Sequence, residues 1–252
     1  MKSQLKNSFL LLLLTSFFLL SCLKKIALNA AGVFDTTASA KYITNGEKEI
    51  IFLSMHHIGK EDFYNSIKLR VDSLIKKEFI VFFEAVRAGK VRDSLQKDTL
   101  YRKGRKITGV DFVTLKSNGG YLDTAKNSLM GLKIKYKLVN QPLDLLSGFD
   151  TLKCKNIDAN FLQLINACES KYGPVVLDQT DFEKNTGKKY KPEKNKERKE
   201  YFLLEFRNRL IADSILSQHN NKIVLIYGDL HFDGILKNLQ TADKRFKKVD
   251  GL

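Results

Sequence analysis

Three short apolar runs, far apart in the chain, each stop at a side chain that can bind a metal or move a proton. Ile50-Ile51-Phe52-Leu53 passes through Ser54-Met55 into His56 and His57, residues 79–83 run straight into Glu84, and residues 222–227 run into Gly228-Asp229-Leu230-His231. Runs of this length, rich in Ile, Val and Phe, suit buried strands. Between the first two lies EDFYNSIKLRVDSLIKK, residues 61–77, where Phe63, Ile67, Val71, Leu74 and Ile75 recur at spacings of three and four, the period of a helix. The three segments make a β-α-β unit. Its crossover sets the strands parallel, so His57 and Glu84 leave at one edge of the sheet. Open α/β sheets hold their ligands at that carboxyl edge. The expected fold class is α/β: a mostly parallel central sheet with helices on both faces, a site at the carboxyl edge and a helical middle region.

The remaining segments are assigned in order. Residues 85–100 read as a charged helix, 110–115 as a short strand, 121–132 as a helix, 136–139 as a brief strand and 155–167 as another helix. Residues 183–200, EKNTGKKYKPEKNKERKE, are almost free of apolar side chains and read as a solvated loop, as the polar start of the next helix, or as a basic arm for a membrane or partner. The next stretch, YFLLEFRNRLIADSILSQH, carries a helical stripe from Phe202 to Ile215. A closing helix is expected from Phe232, and residues 246–249 form an edge strand.

The N-terminus reads as a targeting segment. Lys2 and Lys6 precede an apolar stretch, 9–20, shorter than the roughly 20 residues of a membrane helix, and the segment ends in Leu19-Leu20-Ser21-Cys22. This resembles a bacterial lipobox with Cys22 as the lipidated residue; the alternative is an uncleaved anchor over 9–23. The expected organisation is a signal peptide at 1–21, a tether at 22–45 and one domain at 46–252. Cys154 and Cys168 remain, either paired in an oxidising envelope or as free thiols. The net charge of +15 is spread as Lys along the chain, without a nucleic-acid-binding motif, so no nucleic acid is expected as partner. The same charge suits an anionic membrane surface.

His57, Glu84 and His231 form the candidate site. Two imidazoles and a carboxylate suit a divalent transition metal such as zinc, with an open position for a nucleophilic water. Glu84 serves alternatively as general base, and Arg207, with Asn208 beside it, would bind substrate or steady negative charge. His56 is expected to point away from His57, because neighbours on a strand alternate. His219 reads as a residue favourably placed at a helix C-terminus.

The motifs, taken in order, resemble the TraB/PrgY (TraB/GumN) family, which includes the Tiki proteases. The residues that carry the likeness are Ser54-Met55-His56-His57, where the family has a glycine in place of Ser54; Glu84 after the second strand; Leu138-Val139-Asn140-Gln141; Asn156-Ile157-Asp158; Arg207-Asn208-Arg209-Leu210-Ile211-Ala212; and Gly228-Asp229-Leu230-His231. The resemblance implies a metal-dependent peptidase that uses manganese or cobalt; with the lipobox, the expectation is a lipoprotein tethered in the bacterial cell envelope and acting on peptides. It also implies the alternative of a non-catalytic lipoprotein that captures a peptide or haem in the same pocket.

Overall fold

A computed structural model describes residues 28–29, 32–91, 93–117, 120–123, 128–129, 132–133, 136–142, 145–146, 149–183 and 190–251. Its centre is a six-stranded sheet made of β1 (Ala40–Thr44), β2 (Glu49–Met55), β3 (Ile80–Phe83), β4 (Cys154–Asn156), β5 (Lys222–Gly228) and β6 (Lys247–Val249). Across the sheet the order is β6-β1-β2-β5-β3-β4. β2, β5, β3 and β4 are parallel, whereas β1 runs antiparallel to both β2 and β6. The helices are α1 (Glu61–Lys76), α2 (Ser94–Thr108), α3 (Phe112–Ser117), α4 (Phe161–Tyr172), α5 (Gln179–Phe182), α6 (Lys196–Glu200), α7 (Phe206–Ser217) and α8 (Phe232–Ala242). None of the described helices is long and apolar enough to cross a membrane.

The period-2 alternation of the central strands divides the core. Ile51 and Leu53 of β2, with Val224 and Ile226 of β5, pack against Phe63, Ile67 and Val71 of α1. Ile50, Phe52, Ile223, Leu225 and Tyr227 face the other way, onto Ile211 and Ile215 of α7 and Ile235 and Leu239 of α8. Helices therefore cover both faces, and both central strands are buried, as parallel strands require. A third cluster gathers α2, α4 and the π-helical stretch Tyr201–Glu205 around Phe161, Leu164 and Phe202. α1 stops where Glu78 enters the left-handed region at φ 68, with Phe79 N–H donating to Leu74 O and Glu78 N–H to Ile75 O. That is the paired bonding that ends a helix and turns the chain into a strand.

Several expectations are corrected. The tether at 22–45 overlaps β1, and Val33 and Ala38 ahead of it are buried. Residues 85–91 are not helical; Gly89 has φ 94, and α2 begins only where Asp93 accepts from Leu95 and Gln96 N–H. The strand at 110–115 is instead α3, started by Asp111 accepting from Val113 and Thr114 N–H. The helix at 121–132 is replaced by the short ladder Leu122–Asp123, Ser128–Leu129 and Leu132–Lys133. Asn140 holds Leu122 extended, accepting from its N–H at 2.8 Å and donating to its carbonyl at 2.9 Å. The helix at 155–167 begins at Phe161, because Cys154–Asn156 pairs with β3. Cys154 and Cys168 are free thiols, buried in different clusters. Within the basic stretch 183–200, residues 184–189 lie outside the described ones, and Asn195 caps α6. Cys22 and the signal segment also lie outside them.

Candidate functional site

Parallel β2, β3 and β5 end side by side, which brings three distant stretches together. Glu84 follows β3, and its backbone N–H donates to Ile226 O of β5 at 3.0 Å. Its side chain turns the same way. Gly228 N–H, at the end of β5, donates to Glu84 Oε2 at 2.8 Å. Arg207 Nη2 donates to Glu84 Oε1 at 2.7 Å and to Asp158 Oδ2 at 2.6 Å, while Arg207 Nε donates to Asp158 Oδ1 at 2.8 Å. Arg207 is 6% exposed. One guanidinium is thus clamped between two carboxylates at the sheet edge, in the planar two-point geometry that makes Arg–carboxylate pairs strong.

His231 stands behind Glu84. Its Nε2 lies 3.9 Å from Glu84 Oε1, and its Nδ1 is 2.6 Å from Asn208 Oδ1. Asn208 reaches the ring because α8 carries Gly234 at the crossing; a Cβ there would overlap the Asn208 amide nitrogen. Burial of Glu84 by itself would raise its carboxyl. The charges of Arg207, His231 and His57 and the Arg207 hydrogen bond outweigh that and hold it at about 2. Burial and then the Arg207 charge push His231 down to about 4, against the pull of Glu84. At neutral pH the carboxylate is ionised and the His231 imidazole is neutral. Burial pushes Asp158 up, against its bonds to Arg207.

His57 lies on the other wall and is exposed. The antiparallel pair Ile58–Gly59 and Val139–Asn140 fixes its backbone, with Gln141 N–H donating to His57 O at 2.9 Å. Its ring stacks on Tyr121 with centroids 5.4 Å apart, and Nδ1 is 3.1 Å from Gln141 Oε1. With that oxygen accepting, Nδ1 carries the proton and Nε2 presents a lone pair. His56 points elsewhere as alternation requires, packing on Phe63 and next to Gly32. Ser54, where the family pattern has glycine, donates to Asp229 Oδ1 and ties the end of β2 to the turn after β5.

A cleft of about 630 Å³ opens over these strand ends. Met55, Phe83 and Ile226 line its base, and His57, Glu84, Arg87 and Lys97 bring polar groups to it. Its walls are otherwise mostly apolar, from Tyr101, Phe112, Leu115, Tyr121, Leu145 and Phe161 among others. An apolar concavity with a few convergent polar groups is the general form of a ligand site.

The three expected metal ligands come to one strand edge, with Glu84 beside His231 and the His57 charge felt by both, but they are not arranged around one point. Among the described residues no three His, Cys, Asp or Glu side chains stand close enough to hold one ion. Both Glu84 oxygens are already engaged, one by a cation, and the buried His231 is not part of the cleft wall. The residues present therefore do not fit a bound manganese, cobalt or zinc ion. Against burial, the Arg207 charge holds Glu84 well below the usual carboxylate range, which suits it to a fixed charge more than to a general base, since a base works best with a pKa near the operating pH. Arg207 and Asn208 do not meet substrate as expected: both are buried, holding Glu84 and His231 in place. Asp158, Gln141, Arg87 and Lys97 were missed as site residues. The first two sit inside Asn156-Ile157-Asp158 and Leu138-Val139-Asn140-Gln141, whose asparagine side chains also brace the site: Asn156 donates to Ala85 O at 2.8 Å. Comparison with known proteins finds no family model, curated protein or solved structure that matches the chain.

Proposed function

We propose that this chain is a hydrolase of TraB type, tethered in the cell envelope through a lipid on Cys22, whose cleft binds a peptide and cleaves it. The observation that carries this proposal is the meeting of an accessible imidazole, His57, with a fixed carboxylate, Glu84, in one mostly apolar cleft at the carboxyl edge. His57 is oriented by Gln141, so its Nε2 takes a proton from a water lying against the peptide carbonyl. The resulting imidazolium is stabilised by the Glu84 charge, which Arg207 and the Gly228 N–H keep ionised and immobile. The water oxygen adds to the carbonyl carbon, and the proton held on His57 passes to the leaving nitrogen as the amide bond breaks. No step here runs through a metal.

The test is fragment release from a peptide mixture, read by mass spectrometry, by the full chain in lipid nanodiscs. His57→Ala is expected to lower the rate by about a hundredfold or more, the usual worth of a general base. Cleavage is expected to persist in chelator and to rise less than twofold with added manganese. A His57→Ala chain that cleaves at the wild-type rate would remove His57 from the chemistry. Cleavage that required metal would overturn the mechanism.

A second reading is peptide capture without cleavage. The low basicity of Glu84 favours it, because the deepest acid/base candidate of the cleft is then a charged anchor alone. Its signature is retention of intact peptide, with retention lost in His57→Ala.

A further inference from the structure

Two cations on the cleft wall are unaccounted for by the chemistry above. Arg87, in the loop after β3, and Lys97, on α2, both line the cleft. Among the described residues neither makes an ion pair. The other α2 cations are engaged: Arg102 with Asp98, Lys103 with Glu169, Lys106 with Asp178 and Asp181, and Arg105 over the Tyr190 ring. The two cations belong to one wall. Arg87 O accepts from Phe161 N–H at 2.8 Å, and Lys97 lies one helical turn before Tyr101, whose ring packs 5.0 Å from Phe161. Phe112 meets Phe161 from another side at 4.7 Å. His57 stands on the different wall formed with Tyr121 and Gln141.

An apolar aromatic pocket flanked by two cations that form no ion pair among the described residues is built for an anion with an apolar body. We infer that Arg87 and Lys97 bind the free C-terminal carboxylate of the peptide, with its last side chain, apolar or aromatic, packed against Tyr101, Phe112 and Phe161. This rests on the peptide-binding role proposed above and adds its direction: the C-terminus lies at the Phe161 wall, and the bonds upstream of it run toward His57. A carboxylate that accepts from a guanidinium and an ammonium together makes charge-assisted hydrogen bonds, which are stronger than the neutral ones an amide could make.

The experiment is titration calorimetry of the full chain in lipid nanodiscs, with empty nanodiscs as blank. The probes are N-acetyl-Leu-Phe, its C-terminal amide and octanoate. The acid is expected to bind at least tenfold more tightly than the amide. In Arg87→Gln/Lys97→Gln the acid is expected to fall to the level of the amide while amide binding is unchanged, which also shows that the double variant is folded. Lys97→Glu alone is expected to reverse the preference. Equal affinity for acid and amide in the wild type overturns the inference and leaves peptide binding standing. Binding of octanoate with neither peptide would place a fatty acid in the cleft and overturn the inference and the peptide role together. No heat from any of the three overturns both.

Discussion

Replacing Arg207 by Met would strand Glu84 and Asp158, two buried carboxylates that now share one guanidinium. Removing one partner of a buried ion pair costs about 3–5 kcal/mol, because the remaining charge stays desolvated. The state of Glu84 gives a consistent figure: a carboxyl held at about 2 in place of its ordinary 4.5 corresponds to about 3 kcal/mol of stability at neutral pH. The pH profile is the sharper test. In the wild type the Glu84 contribution is complete above 4.5 and is lost as pH falls toward 2. His231, held at about 4 against 6.5, adds an earlier acid loss, full stability being present above 6.5. In the Arg207→Met chain the sign reverses. The two carboxylates raise each other, so protonation relieves them, and His231, freed from the Arg207 charge, takes up a proton 3.9 Å from Glu84 Oε1. Urea unfolding followed by circular dichroism should show the variant weaker by about 3–5 kcal/mol at neutral pH, with the gap narrowing toward about pH 5. A gap under about 1 kcal/mol, or one that stays constant over that range, would refute the clamp as described.

Gly234→Ala should destabilise by about 1–3 kcal/mol, since the added methyl overlaps the Asn208 amide; thermal unfolding reads this, and a loss of activity larger than the stability change explains would mark displacement of His231. Cys22→Ser should move the protein from the membrane to the soluble fraction and abolish palmitate labelling, whereas labelling that survives the change would remove the lipid anchor from the proposal.

The parts of the fold legible in the sequence are those whose local pattern agrees with their final setting. α1 has the period of a helix and buries the face that the period marks, while β2 and β5 are unbroken apolar runs buried on both faces. Alternation alone separated His56 from His57. β4 escaped notice because three residues cannot display a period; its pairing with β3 makes it a strand. The ladder after Tyr121 is held in part by the side chain of Asn140, a contact 18 residues away. At the site, residue types were readable but their allegiances were not. Glu84 and Arg207 lie 123 positions apart, and nothing local says that the carboxylate is committed to a guanidinium rather than available to an ion. The turn signals at Asp93 and Asp111 were present in the sequence, each an acidic cap ahead of a helix, and went unused.

The antiparallel edge gives the molecule a mechanical character. β1 is bonded along five pairs to β2 and along three to β6. A load directed along β1 from the residues ahead of it meets all of these pairs in shear, so they must yield together and not one after another. β2, the strand that takes that load, ends at Met55, two residues before His57. A chain pulled from its N-terminal side would transmit tension to the strand that leads to its exposed imidazole.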